Sequence, residues 1–278
     1  MIDRQWIFSA SMLQDYQDCQ RRFELKYILR QSWPAIPAEP VLAFETQMTR
    51  GRQFHFLVHQ FYSGIPIETI LAAVQDTLLR EWFQRFIEFT NSLSISRSFS
   101  EFQLSAVLDQ HRLIAVFDLL VHTQDNHMII FDWKTALRKP GREYLCKKMQ
   151  SAVYPFVLQQ NLMHLSSNLS DQPDTAIKMV YWFPEFPDEP VAIDFDRQKQ
   201  SESEQFLSRI LNQLEQKMED GDFPKTQDER FCKFCPYRSL CERGIYPGDF
   251  IENGDLEDDD MTVIDIDFEA ISSLEPDL

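Results

Sequence analysis

The tripeptide Asp132-Trp133-Lys134 has the residue types of a metal-dependent hydrolytic site. It ends an apolar run, and in an extended strand Asp132 and Lys134 would share one face while Trp133 points to the other. The preceding apolar run closes at Asp118, and the short segment 122–126 predicts a hairpin loop that brings Asp118 alongside Asp132. Paired carboxylates bind hard cations such as magnesium or manganese, and a nearby ammonium can stabilise a phosphate or polarise an attacking water.

A histidine could complete this site. His55 lies in an amphipathic helix that apolar residues at helical spacing predict over 54–61. Its imidazole could join the two carboxylates as a metal ligand. A single histidine on a mostly apolar helix is more often structural, and His59, one turn later, competes for the same role.

Gln150 and Tyr154 are four residues apart on a helix predicted to start near Glu143, so they share a face. They could hold a phosphate or a nucleotide close to Lys134, although this spacing also occurs on ordinary helix surfaces. Five basic residues near the start of this helix could guide phosphates or simply be solvated: Arg138, Lys139, Arg142, Lys147 and Lys148.

Four of the five cysteines are placed like metal ligands. Cys232, Cys235 and Cys241 are clustered, and Cys19 lies far upstream. The chain has no charged and apolar leader, which predicts a cytoplasmic protein, and disulfides are disfavoured there. Four thiolates could hold zinc or a 4Fe-4S cluster, and the spacing alone does not distinguish them. The fifth cysteine, Cys146, is most simply a spare helix residue.

Taken in order, these motifs resemble those of RecB-family nucleases of the PD-(D/E)XK superfamily, in the iron-sulfur branch. That branch includes the AddB helicase-nuclease subunit and the RecB-like nucleases of CRISPR adaptation. The resemblance covers residues 9 to 245 and implies roles for three sets of residues. The implied metal ligands are His55, Asp118, Asp132 and the Trp133 carbonyl; the implied catalytic residues are Asp118, Asp132, Lys134, Gln150 and Tyr154; the implied 4Fe-4S ligands are Cys19, Cys232, Cys235 and Cys241.

The function implied by this resemblance is magnesium- or manganese-dependent hydrolysis of DNA. We expect an exonuclease acting on single-stranded or unwound ends, in repair, recombination or CRISPR adaptation. Two alternatives stay open: a non-catalytic DNA-binding or scaffolding subunit of a helicase-nuclease or adaptation complex, and a zinc-stabilised module without nuclease activity. The chain has no Gly-x-x-x-x-Gly-Lys-[Ser/Thr] loop, so any unwinding must come from a partner such as a helicase.

Length and composition predict one domain, and the resemblance implies an α/β fold with a PD-(D/E)XK restriction-endonuclease-like core. We expect a mixed central sheet flanked by helices, a helical N-terminal lobe and a C-terminal cysteine segment, since 278 residues with 23 Phe can bury a sizeable core. Helices are predicted near 11–30, 47–62, 66–90, 143–164 and 198–219, and strands near 101–109, 112–121, 127–133 and 176–183. No apolar stretch approaches the roughly 20 residues that span a bilayer.

The net charge of -17 is concentrated at the C-terminus. Residues 249–278 contain 12 acids and neither Lys nor Arg, which leaves 32 acids and 27 bases, a balance of -5, for residues 1–248. We therefore expect a single nuclease domain over 1–248 and an acidic, disordered tail over 249–278. The alternating segment 263–268 could instead pair with a partner as a strand, or the acids could cover the DNA-binding groove.

Overall fold

A mixed sheet of six strands lies at the centre of the protein. The structure is a computed structural model that describes residues 6–31, 39–125, 127–165 and 176–244. The strands are β1 (Ile7–Ser9), β2 (Ile95–Leu108), β3 (His111–Thr123), β4 (Met128–Trp133), β5 (Ile177–Trp182) and β6 (Val191–Phe195). Helices cover both faces of this sheet, so the predicted mixed α/β core is confirmed.

Strand β3 connects the two halves of the sheet. One of its edges pairs with β2 in antiparallel orientation, and the other pairs first with β1 in parallel and then with β4 in antiparallel orientation. Strand β4 pairs with β5 in parallel orientation, and β5 pairs with β6 in antiparallel orientation. Because Leu119 pairs with Phe131, the next residues along the two strands are Asp118 and Asp132. The predicted β3–β4 hairpin therefore does bring the two acids side by side.

The helices are α1 (Ala10–Asp18), α2 (Gln20–Phe23), α3 (Glu39–Tyr62), α4 (Ile67–Ala73), α5 (Thr77–Asn91), α6 (Arg142–Lys147), α7 (Met149–Leu165) and α8 (Arg197–Asp220). A π-helical turn, Glu24–Ile28, follows α2, and a 3-10 turn covers Glu229–Cys232. Three predicted helices are interrupted, because Cys19 and Lys148 are extended and Asp76 caps a new helix start at α5. The sequence analysis missed β1, whose 3 residues are too few to show alternation, and β6, whose 5 residues alternate between buried and exposed.

Two hydrophobic clusters cover the two faces of the sheet. The first cluster, around Phe117 and Ile130, includes side chains from α1, α7 and α8. The second cluster, around Phe131 and Trp133, includes side chains from α3 and α5. Trp133 therefore points away from α7. Its neighbours in sequence, Asp132 and Lys134, lie on the α7 side of β4. The predicted division of faces within the Asp132-Trp133-Lys134 tripeptide is confirmed.

No helix within the four described ranges is both long and apolar enough to cross a membrane. The acidic segment 249–278 lies outside the described residues, so the tail and the domain boundary at residue 248 stay predictions.

Candidate active site and cysteine cluster

Lys134 is held in a closed arrangement with two other side chains. Its Nζ lies 3.2 Å from Oδ2 of Asp132 and donates a hydrogen bond to Oε1 of Gln150 at 2.9 Å. The Gln150 amide in turn donates from Nε2 to Oδ1 of Asp132 at 3.0 Å. All three side chains are buried, with Lys134 only 4% exposed, so Asp132 compensates the charge of the ammonium and Gln150 satisfies one of its hydrogen bonds.

Helix α7 places Gln150 and Tyr154 inside the site. The two residues are therefore not ordinary helix-surface residues. Gln150 Nε2 lies 3.4 Å from the Tyr154 hydroxyl, and the Tyr154 ring packs against Phe117 with centroids 5.2 Å apart. Burial, and then the charges of Asp132 and Asp118, raise the pKa of Tyr154 far above its usual range. Tyr154 is therefore a neutral phenol at any physiological pH.

His55 faces the second carboxylate of the site. Its Nδ1 lies 3.2 Å from Oδ1 of Asp118, and its Nε2 lies 2.9 Å from the carbonyl oxygen of Trp133. The backbone N–H of Trp133 donates to the other oxygen of Asp118 at 2.8 Å. His59 instead lies 3.2 Å from the Ser100 hydroxyl, so of the two histidines His55 is the one beside Asp118.

The electrostatics of the site favour a positive charge at His55. Burial alone would lower the pKa of His55, but the charge and hydrogen bond of Asp118 raise it, and the charges of Asp132 and Glu101 raise it further, to about 9. Without a metal ion, the imidazole is therefore protonated at neutral pH. A divalent cation would take the place of this positive charge among the acids.

The sequence analysis missed Glu101. Atoms able to bind a metal on His55, Glu101 and Asp118 all lie within 4.8 Å of one another. Burial raises the pKa of the Glu101 carboxyl to about 7, the charge of Asp118 adds to this rise, and His55 opposes it. One imidazole with clustered carboxylates and a carbonyl is a donor set that fits a divalent cation.

A signal for Glu101 was present in the sequence. Glu101 and Asp118 are the only acids in the segments that form β2 and β3. The turn after Leu108 makes Leu108 pair with His111, and counting back from this pair places the two acids opposite each other. The strand was predicted over 101–109, so Glu101 stood at its first position. Its pairing with Asp118 was therefore not considered.

Contacts to α5 and to the loop after β4 fix helix α3 over the sheet. Arg50 Nε lies 2.8 Å from Oδ2 of Asp76, at the start of α5. Gln47 donates from Nε2 to the carbonyl oxygen of Thr135 at 2.7 Å, next to Lys134. With Phe54 buried in the second cluster, these contacts set the rotation of α3 that turns His55 toward Asp118.

Four of the five basic residues proposed to guide phosphates have contacts within the chain. Lys139 pairs with Glu189 at 2.6 Å, Arg142 donates to the Ala192 carbonyl at 3.3 Å, Lys147 pairs with Glu143 at 2.7 Å, and Lys148 lies 4.7 Å from the Tyr144 ring centroid. Arg138 is exposed. These contacts occupy the cations at least in part, and a role in guiding DNA stays a prediction.

Four cysteines from the two ends of the described chain line one cavity: Cys19, Cys232, Cys235 and Cys241. Burial raises the pKa of the Cys235 thiol to about 11 and also raises those of Cys232 and Cys241. Thiols with raised pKa values stay protonated unless a metal displaces their protons. Cys146 is exposed on α6 and does not line this cavity. Four cysteines that line one cavity are the residue type that a thiolate-bound centre, zinc or iron-sulfur, requires.

A buried ionic network supports the N-terminal side of this cavity. Asp15, which is 1% exposed, lies 2.7 Å from Nε of Arg22 and 3.0 Å from Nζ of Lys26, and it accepts a hydrogen bond from the Tyr27 hydroxyl at 2.7 Å. Arg22 also contacts Asp18 at 2.8 Å and lines the cysteine cavity. The network therefore fixes the chain on both sides of Cys19.

In comparison with known protein families, residues 7–242 match the family described as the PD-(D/E)XK nuclease superfamily. Among solved structures, SSO0001 is similar with a TM-score of 0.42 and 12% identity, over 87% of this chain and 88% of that one. A candidate exonuclease from Eubacterium rectale is similar with a TM-score of 0.44 and 11% identity, over 80% and 84% of the two chains. No curated protein sequence matches. The family match contains the complete site and all four cavity cysteines.

Proposed function

Because the chain belongs to the PD-(D/E)XK nuclease superfamily, we propose that it is a metal-dependent deoxyribonuclease, an exonuclease that acts on single-stranded or unwound DNA ends. One observation carries the proposal. Lys134, a buried lysine, is fixed between Asp132 and Gln150 in the residues that follow β4, next to the His55–Asp118 pair. A lysine in this position supports phosphodiester hydrolysis, since its ammonium can stabilise charge on a phosphate.

Each side chain has a distinct part in this reaction. His55, Asp118, Asp132 and the Trp133 carbonyl would hold magnesium or manganese, which supplies Lewis-acid chemistry to water and phosphate. Lys134 orients the attacking water or stabilises the negative charge that develops on the scissile phosphate. Gln150 keeps the Lys134 ammonium in position through its 2.9 Å hydrogen bond, and Tyr154 offers a neutral hydroxyl to the nucleic acid strand.

For the cysteine cavity we propose a 4Fe-4S cluster, which is the centre found in the RecB-like branch that the motifs resemble, with zinc as the alternative. The convergence of four thiols supports a centre of either kind. Its role would be to join the N-terminal helices to the C-terminal segment, as the backbone bond from Arg21 N to the Pro224 carbonyl already does at 3.2 Å. Anaerobic purification tests this: iron and a visible absorbance band support the cluster, and stoichiometric zinc supports the alternative.

The proposed pathway is DNA repair, recombination or CRISPR adaptation, with a helicase or an adaptation protein as partner. The activity itself is tested with linear and circular single-stranded DNA in the presence of manganese. Digestion of the linear form alone supports an exonuclease. Equal digestion of the circle would make the enzyme an endonuclease. Binding of both without cleavage would favour the non-catalytic subunit.

A further inference from the structure

Glu101 lies beside the residues of the proposed metal site and belongs to none of the motifs that identify it. Its carboxylate is grouped with His55 and Asp118, with ligand atoms within 4.8 Å of one another. In the sheet it lies between the Ser100–Leu119 and Phe102–Phe117 pairs, a position opposite Asp118. Opposite residues on antiparallel strands have adjacent side chains, and like charges at such positions destabilise the pair.

The backbone at Glu101 is also unfavourable. Its φ angle is 50°, in the left-handed region, although the residue lies inside the strand β2. Residues other than glycine rarely adopt this conformation, because Cβ then crowds the neighbouring carbonyl oxygen. Strained residues of this kind persist where the surroundings impose them, and they cluster at functional sites. Two unfavourable features, strain and like charge, therefore coincide at one residue.

The alternation of side chains along both strands slips at this point. In β3, Phe117 and Leu120 both join the first cluster although they are three residues apart, and Leu119 joins the second. In β2, Phe99 and Phe102 both pack on the first cluster, with ring centroids 5.0 Å apart. In a regular strand, residues three apart point to opposite faces. The pleat is thus interrupted on both strands at the level of the two acids.

The interruption turns two consecutive residues of β2 toward helix α3. The Ser100 hydroxyl lies 3.2 Å from Nδ1 of His59, and Glu101 lies with His55, one helical turn earlier. The irregular backbone therefore presents a carboxylate to the helix that carries the histidine.

We propose that Glu101 is a further ligand of the divalent cation, which adds a carboxylate beside His55 and Asp118 to the ligands proposed above. The proposal rests on the metal-dependent nuclease function above and adds a residue to it. This mixed nitrogen and oxygen set suits manganese. Asp132 stays in the proposed ligand set, and its two oxygens also contact Lys134 and Gln150.

Manganese binding to the DNA-free, full-length protein tests the proposal without relying on activity. After treatment with a chelator, the protein is titrated with Mn²⁺ by calorimetry, and free Mn²⁺ is followed by electron paramagnetic resonance. Glu101→Gln is expected to weaken binding at least tenfold, while the control Glu204→Gln, at an exposed position on α8, binds like the native protein. Circular dichroism confirms that each variant is folded.

A second variant distinguishes two possible roles of Glu101, metal ligand and purely structural residue. Asn tolerates a left-handed backbone better than Glu, so Glu101→Asn should raise the metal-free Tm while reducing the stabilisation that Mn²⁺ gives. Native Mn²⁺ affinity in Glu101→Gln, together with lost binding in Asp118→Asn, would overturn the role of Glu101 and leave the nuclease proposal standing. A native protein that neither binds Mn²⁺ nor cleaves DNA would contradict both.

Discussion

Lys134 donates a hydrogen bond from Nζ to Oε1 of Gln150, 16 residues further along the chain, at 2.9 Å. The same Gln150 amide donates to Asp132 at 3.0 Å, so one side chain contacts both charged members of the Asp132-Trp133-Lys134 tripeptide. An amide can do this because it offers an acceptor to the ammonium and a donor to the carboxylate. Gln150 therefore fixes the position of Lys134 without neutralising its charge.

Replacing Gln150 by Ala should lower kcat about 100-fold with a smaller change in KM, because the lysine loses its positioning contact rather than its charge. Steady-state kinetics with Mn²⁺ and single-stranded DNA measure this. Gln160→Ala, at an exposed position on the same helix, is the matched control and should behave like the native enzyme. A native kcat in Gln150→Ala would mean that Lys134 needs no such support.

Asp76 connects helix stability to the placement of His55. Its Oδ1 accepts from the Leu79 N–H at 3.0 Å, and its Oδ2 lies 2.8 Å from Arg50 on α3. Asp76→Ala should lower the free energy of unfolding at pH 7 by about 1 kcal/mol, the usual cost of losing an N-cap. Chemical denaturation measures the loss, and Glu68→Ala, exposed on α4, should leave the stability within about 0.5 kcal/mol.

The same variant should show a definite pH dependence. The Leu79 N–H first, and then Arg50, hold the pKa of Asp76 below its ordinary value of 3.8. A lowered pKa in the folded state means that the ionised group stabilises the fold at neutral pH, and that this stabilisation is lost as the pH falls through the folded pKa. The gap between the native protein and Asp76→Ala should therefore narrow below about pH 4. A gap that stays constant there would show that the ionised form has no special role.

Asp15→Asn should be the more damaging change near the cysteine cavity. Asp15 is 1% exposed and contacts both Arg22 and Lys26, and removing one partner from a buried ionic group costs about 3 kcal/mol or more. Asp18→Asn should cost less, since Asp18 is 15% exposed and its ion pair with Arg22, at 2.8 Å, leaves Arg22 still paired with Asp15. Denaturation midpoints for the two variants test this order. Equal losses would contradict the assignment of Asp15 as the centre of the network.

Much of the site could be predicted from the sequence because its residues lie in regular elements. The strand alternation of residues 132–134 and the helical spacing of Gln150 and Tyr154 both fix relative direction, and the hairpin fixes Asp118 against Asp132. The choice of His55 over His59 needed more, since both lie on one helix. It follows from the rotation of α3, which distant contacts such as the Arg50–Asp76 ion pair determine.

Glu101 could not be predicted in the same way. Counting back from the β2–β3 turn places it opposite Asp118, but the interruption of the pleat that turns it toward α3 leaves no sequence pattern, because such patterns assume that alternation continues through a strand. The breaks at Cys19 and Lys148 were missed for a related reason, because neither residue type ends a helix by its own preference and tertiary contacts decide the matter. Strand β1 depends on pairing with the distant strand β3, which local pattern does not reveal, whereas β6 pairs with β5, the strand that precedes it.

The most direct test of the nuclease proposal is digestion of end-labelled single-stranded DNA with Mn²⁺ by the native protein, Lys134→Ala and Asp132→Ala, with DNA binding measured in parallel. The proposal predicts that the native protein shortens the labelled strand, and that both variants bind DNA while leaving it uncut. Cleavage by Lys134→Ala at the native rate would contradict the assignment of this lysine, and a native protein that binds but never cuts would contradict the nuclease function itself.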